Sequence, residues 1–207
     1  MKLEQFSPPL VAILRGLAPS EAVEVGKTLF DAGFRMLEVP LNRPGALEAI
    51  AALSAIAPAD AIVGGGTMLS VADVDAVLAA GGRLMVSPNF DPAVIAHAAA
   101  QGMLCAPGVA TPTEAFGALG AGAHALKIFP AEMVGHGGLK AMKSVLPSGT
   151  PLWPVGGVAP DHIAGWIAAG ATGFGIGGQL YTPAIDVAIL AERARAFVAA
   201  WRSANTQ

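Results

Sequence analysis

One cysteine among 207 residues, Cys105, leaves the chain unable to form an internal disulfide. It stands in "GMLCAPG" with neither a base nor a cation beside it, so it reads as a core thiol in a strand rather than a nucleophile. Charge is also scarce: Asp, Glu, Lys and Arg make up 13% of residues, the net charge is −3, and no basic block occurs. Without that electrostatic footprint a nucleic acid backbone or an anionic membrane is excluded as a partner, and small molecules are expected instead. No apolar run reaches the roughly 18 uninterrupted residues of a membrane span. The start, "MKLEQFSPPLVAILRG", lacks a basic segment leading into a long apolar stretch and a cleavage site, so a soluble, cytoplasmic location is expected. Metal-binding spacings such as H-x-H and H-E-x-x-H are missing as well. His97, His124, His136 and His162 are scattered, read as surface or structural residues, and suggest no metal. Nor is there a G-x-S-x-G elbow or a Walker loop.

What the chain does have is apolar material, 54% of residues, enough for one compact domain over 1–207. Its mean hydropathy of +0.58 points to outer surface that one subunit does not bury alone, hence to a homo-oligomer. Eight short β-rich segments can be counted, at 10–16, 35–41, 61–67, 83–89, 103–109, 124–130, 152–158 and 173–179, and Ala-rich helical stretches separate them. Ser20 and Ser70 read as helix N-caps and Gly33 as a C-terminal stop, while Pro112 and Pro160 suit first helical turns. A last helix is expected over 183–203. Repeated βα units of this number predict an α/β fold, a (β/α)8 TIM barrel with parallel strands and short connections. The dinucleotide-binding alternative is disfavoured, because the first βα turn reads "LRGLAPSEA" and has no G-x-G-x-x-G.

Strand alternation then gives the charged groups a direction. In "HALKIFP", Ala125, Lys127 and Phe129 share one face; in "RMLEVPL", Met36, Glu38 and Pro40 do. Lys127 and Glu38 are therefore expected to look into the barrel. Arg15 and Thr67 sit at the C-terminal ends of the first and third strands, where barrels of this kind carry catalytic residues. Either Lys127 and Glu38 form a buried structural ion pair, a weak stabiliser costly to desolvate, or the lysine is used. Burial lowers a lysine pKa and frees a neutral amine able to attack a ketone, and a buried carboxyl with a raised pKa can exchange protons beside it. Lys2, Lys27, Lys140 and Lys143 lie in a terminus or helical stretches and read as solvated.

Gly156 and Gly157 close the seventh strand, Gly177 and Gly178 the eighth. Loops after these two strands of a barrel frequently bind phosphate through backbone N–H groups, although tight turns need glycine too.

Taken in order, "PLVAILRG", "LEVPLN", "GGGTML", "VSPN", "ALKIFPAE" and "VGGV" resemble the class I aldolases that act on 2-keto-3-deoxy-6-phosphogluconate, its galactonate epimer or 4-hydroxy-2-oxoglutarate. The likeness spans nearly the whole chain. It implies that Lys127 forms a Schiff base with the substrate's C2 ketone, that Glu38 accepts and donates protons, and that Arg15 and Thr67 bind substrate near its pyruvyl end. Phe129 resembles the aromatic wall beside the lysine. "EVPLN", the "LY" of "GGQLY" and Val155, where the gluconate branch typically has threonine, are similar to the galactonate branch. That branch implies cleavage of 2-dehydro-3-deoxy-6-phosphogalactonate to pyruvate and D-glyceraldehyde 3-phosphate, without a cofactor, by a homotrimer. Relatives commonly carry serine at the place of Gly178 or Gln179; this chain does not. Arg43 also departs from the galactonate pattern and reads as a solvent-facing loop residue. Cleavage of the gluconate epimer or of 4-hydroxy-2-oxoglutarate, a non-catalytic sugar-phosphate-binding barrel and a metal-dependent aldolase are the alternatives.

Overall fold

The computed structural model describes residues 3–206; Lys2 lies outside the described residues. Strands β1 (Leu10–Ile13), β2 (Met36–Pro40), β3 (Ile62–Gly66), β4 (Leu84–Val86), β5 (Leu104–Ala106), β6 (Gly108–Val109), β7 (Leu126–Ile128), β8 (Leu152–Pro154) and β9 (Phe174–Ile176) alternate with helices. A six-stranded sheet runs β5-β4-β3-β2-β1-β9 and a three-stranded one β6-β7-β8, with every ladder parallel. Each expected segment contains its strand. The fifth contains two, because Pro107 has no N–H to give the ladder; its carbonyl still accepts from the Lys127 N–H at 2.9 Å. A single parallel bridge, Val155 to Gly175, also connects the smaller sheet to β9.

The helices are α1 (Ala22–Asp31), α2 (Ala46–Ile56), α3 (Val71–Ala79), α4 (Pro92–Ala100), α5 (Pro112–Gly120), α6 (Ala131–Val145), α7 (Ile163–Ala169) and α8 (Val187–Asn205). Ser70 caps α3 as expected, its hydroxyl accepting from Asp73 N–H while the Asp73 carboxylate accepts from Ser70 N–H. Thr111 and Glu114 close an equivalent box on α5, with Pro112 in its first turn. Ser20 does not cap α1: Glu21 occupies that position and makes no side-chain cap bond. Gly33, with φ of 103°, stops α1, its N–H and that of Phe34 turning back to Phe30 and Leu29 carbonyls at 3.0 Å. The last helix starts at Val187 rather than at residue 183. Asp186 caps it there, accepting from Ala188 and Ile189 N–H groups, which leaves 183–186 as loop.

Side-chain alternation sorts the core into two layers. Leu37 and Val39 of β2, with Leu126 and Ile128 of β7, pack in the large cluster under the helices. Val11, Met36, Leu84, Leu104, Ala125 and Trp153, drawn from both sheets, meet in a second cluster on the other face. The result is an α/β fold whose parallel strands curl about a shared interior. Glu38 and Lys127 belong to that inner face, one residue pair further along their strands than Met36 and Ala125.

Candidate active site

Glu38 and Lys127 are brought together as the alternation requires. Both line a small, largely apolar cavity of about 10 Å³ walled by Val11, Val86, Ala106 and Trp153. The carboxylate is 2% exposed and the lysine 8%. They do not make an ion pair: among the described residues the close acid–base pairs are Arg35–Asp60, His97–Asp75 and His162–Asp161. Glu38 Oε2 is buried with no hydrogen-bond partner among the described residues. The structural reading of this pair therefore lacks its central contact, and two ionisable groups remain desolvated without the bond that would compensate them.

Burial sets their proton affinities. It pushes the Glu38 carboxyl up from 4.5 to about 7, against the opposing positive charges of Lys127 and Arg15. The same burial holds the Lys127 ammonium below its ordinary value; Glu38 opposes that shift, and Arg15 adds to it. Near neutral pH the site therefore holds a carboxyl able to exchange a proton and a lysine drawn toward its neutral amine. Nζ lies 4.8 Å from the centroid of the Phe129 ring, in the cation–π range.

β3 makes room for the carboxylate. A Cβ at Gly66 would collide with the Glu38 carboxyl group, and one at Gly64 with the Leu84 backbone. The glycine run of β3 thus serves close approach, a signal visible in the sequence but read there only as the approach to Thr67.

Beyond Lys127 a second cavity, about 350 Å³, opens past the C-terminal ends of β1, β7, β8 and β9. It shares Ile13, Val155 and Gly175 with the small cavity as common walls. Arg15, Phe129, Gly156, Gly157, Gly177 and Gly178 line it, so six expected site residues converge here with Val155. Thr67, next to Gly66 and at φ of 54°, lines neither cavity. The two glycine pairs differ physically. Gly156 and Gly157 have φ of 116° and 59°, and a Cβ on either would strike the Glu132 carboxylate. Gly178 faces open space, and Gly177 has only the Ile13 side chain within contact.

Val158, Gln179, Tyr181, Thr182 and Pro183 also line the second cavity and are not read as site residues from the sequence, where Pro183 is expected to open the last helix. A larger hollow, about 530 Å³, lies at the opposite ends of the strands around Phe6 and Arg83. Its Arg83 donates to the Leu78 and Gly82 carbonyls, and its Asp60 is engaged by Arg35. It holds no buried acid–base pair, so the chemistry is assigned to the smaller cavities. The Cys105 thiol is buried, pushed up to about 12 by that burial, and borders neither of them.

Known proteins resemble this chain over nearly its whole length. A probable 2-dehydro-3-deoxy-6-phosphogalactonate aldolase of Rhizobium meliloti (strain 1021) is 46% identical over 199 residues, covering 96% of this chain and 94% of the relative. The 2-dehydro-3-deoxy-6-phosphogalactonate aldolase of Escherichia coli (strain K12) is 46% identical over 200 residues, covering 97% and 98%. The solved structure of native KDPGal superposes with a TM-score of 0.96 at 44% identity over 100% of both chains. The family profile described as KDPG and KHG aldolase matches residues 5–190, and with these relatives it makes the chain a member of the KDPG and KHG aldolase family.

Proposed function

We propose that this chain cleaves 2-dehydro-3-deoxy-6-phosphogalactonate to pyruvate and D-glyceraldehyde 3-phosphate through a Schiff base on Lys127. The observation that carries the mechanism is the burial of Lys127 in one small cavity with Glu38, whose Oε2 has no hydrogen-bond partner among the described residues. The neutral amine attacks the C2 ketone, and Glu38 moves the protons needed to form the carbinolamine and expel its hydroxyl as water. Removal of the C4 hydroxyl proton then breaks the C3–C4 bond. Its electron pair flows into the iminium to give an enamine, and the aldehyde departs. Protonation of the enamine at C3 and addition of water to the resulting iminium release pyruvate and restore the amine. The iminium is the electron sink in this sequence.

Arg15 and the open Gly177–Gly178 turn supply a positive charge and accessible backbone at the open end of the site, suited to the phosphate, while Gly156 and Gly157 line the same cavity with the Glu132 carboxylate packed against them. Thr67 is assigned to the pyruvyl end through its proximity to Gly66, with Phe129 as the wall beside the imine. Val155 offers no hydroxyl to read the C4 centre, which favours the galactonate epimer. We further infer one closed (β/α)8 barrel spanning residues 1–207, supported by the Val155–Gly175 bridge and by the single residue separating β5 from β6. The exposed Phe116 and Met133 side chains favour assembly, in this reading a homotrimer. A cytoplasmic site of action belongs to the same reading; among the described residues no helix is long and apolar enough to cross a membrane.

Borohydride reduction in the presence of pyruvate should leave a stable adduct on Lys127. No adduct, together with full activity of Lys127→Ala, would overturn the Schiff-base reading. Cleavage rates for the two C4 epimers decide the substrate, and a strong gluconate preference would refute the role given to Val155.

A further inference from the structure

Tyr181 is 3% exposed and lines the 350 Å³ cavity beside Arg15, Gly177 and Gly178. Its hydroxyl is buried with no hydrogen-bond partner among the described residues. An orphaned phenol is costly to keep, and the cost is relieved when a bound group accepts a hydrogen bond from it. The main chain at this residue is held in place. Tyr181 N–H and Leu180 N–H both turn back to the Gly177 carbonyl, at 3.0 and 2.8 Å, so the residue is tied to the glycine turn itself. On its other side the β1–α1 loop comes close, with Pro183 packed against the place of a Cβ on Gly16 at 3.2 Å.

We propose that Tyr181 is a substrate-contacting residue whose hydroxyl donates a hydrogen bond to the phosphate monoester held between Arg15 and the Gly177–Gly178 turn. The inference rests on the reading of this cavity as the phosphate end and adds to it a donor that the glycine-rich sequence did not reveal. The chemistry matches: burial, reinforced by the negative charge of Glu21, pushes the phenol up to about 12, so it stays a donor at neutral pH. A phosphate oxygen is the acceptor such a donor lacks, and a hydrogen bond to a charged partner is the strong kind.

Tyr181 is the only tyrosine in the chain, which allows a direct test on the unsubstituted protein. With tyrosine labelled with ¹³C at Cζ, titration with glycerol 3-phosphate should move its single resonance in a saturable manner, whereas unphosphorylated glycerol should not. A resonance unmoved at saturating glycerol 3-phosphate overturns the proposal. In parallel, Tyr181→Phe should raise KM for D-glyceraldehyde 3-phosphate in condensation with pyruvate about tenfold relative to the unsubstituted protein. It should also narrow the preference over unphosphorylated glyceraldehyde by a similar factor. Trapping of the pyruvyl adduct separates the two levels of the argument. If the unsubstituted protein forms no adduct at Lys127, the aldolase reading fails. If the adduct forms in both proteins and Tyr181→Phe keeps the full phosphate preference, only the role of Tyr181 fails.

Discussion

Adding one methyl group at Gly66 tests the proposed Lys127–Glu38 pair without replacing either member. The new Cβ would stand 2.7 Å from Glu38 Oε1 and closer still to the rest of the carboxyl group. Ordinary contact begins near 3.4 Å, so the carboxylate must retreat by about 1 Å or more, a shift typical of those that cost about 100-fold in rate when reacting groups are misplaced. Gly66 is an extended β3 residue paired with Pro40, so no backbone strain accompanies the change. Overpacking should cost about 1–3 kcal/mol of stability, small enough for the variant to fold. We expect Gly66→Ala to lower kcat for aldol cleavage about 100-fold and to slow the trapping of pyruvate on Lys127. The effect should act through Glu38, so combining Gly66→Ala with Glu38→Gln should lose far less than the product of the two single losses. Activity within threefold of the unsubstituted protein, or full multiplicativity with Glu38→Gln, would refute the reasoning.

Three other outcomes follow from the same geometry. Because the folded carboxyl of Glu38 is raised from 4.5 to about 7, the native state binds the extra proton; its stability relative to Glu38→Gln should fall by about 3 kcal/mol as pH rises from below 4.5 through 7. Urea unfolding of both proteins between pH 4 and 8 measures this, and a pH-independent difference contradicts it. Val155→Thr should raise cleavage of the gluconate epimer relative to the galactonate epimer about tenfold, read from the ratio of kcat/KM values; an unchanged ratio removes Val155 from the specificity argument. Gly157→Ala, at φ of 59° and against Glu132, should cost at least about 1 kcal/mol in thermal unfolding, whereas Gly178→Ala, facing open space, should stay within about 0.5 kcal/mol.

The division of the sheet into an inner and an outer face was legible because period two is a local property. Leu126 and Ile128 go under the helices, and Ala125 and Lys127 go inside, on pattern alone. Local chemistry also marks the Ser70 cap and the Gly33 stop, each needing only its neighbours in sequence. Ser20 fails as a cap since a hydroxyl before a helix is no guarantee that the chain turns there; the structure begins α1 one residue past Glu21. The same holds for the last helix, where Pro183 suits a first turn but Asp186 finds the free N–H groups. What pattern could not supply is which inner-facing residues meet across strands. Gly66 under the Glu38 carboxylate, Glu132 behind the Gly156–Gly157 turn and the stranded hydroxyl of Tyr181 are all contacts between segments far apart in sequence.

The absence of a Lys127–Glu38 ion pair has a chemical meaning beyond removing a structural explanation. A tight pair would hold the lysine as an ammonium and the glutamate as a carboxylate, the one arrangement in which neither can begin the reaction. Keeping them apart in an apolar cavity lets burial dominate, so the carboxyl rises toward 7 while the lysine falls from 10.5. The two proton affinities thereby approach each other, which is the condition for moving a proton between amine, substrate and carboxyl near neutrality. Arg15 works in the same direction at the lysine and against burial at the glutamate, so its charge trims both groups from the mouth of the site. An anionic substrate bound there would offset that charge, raising Lys127 toward its protonated form and Glu38 further toward its own. On the proposed mechanism the amine must therefore attack before the proton returns to it, which calls for a ketone held within reach of Lys127 by walls such as Phe129 and Val155.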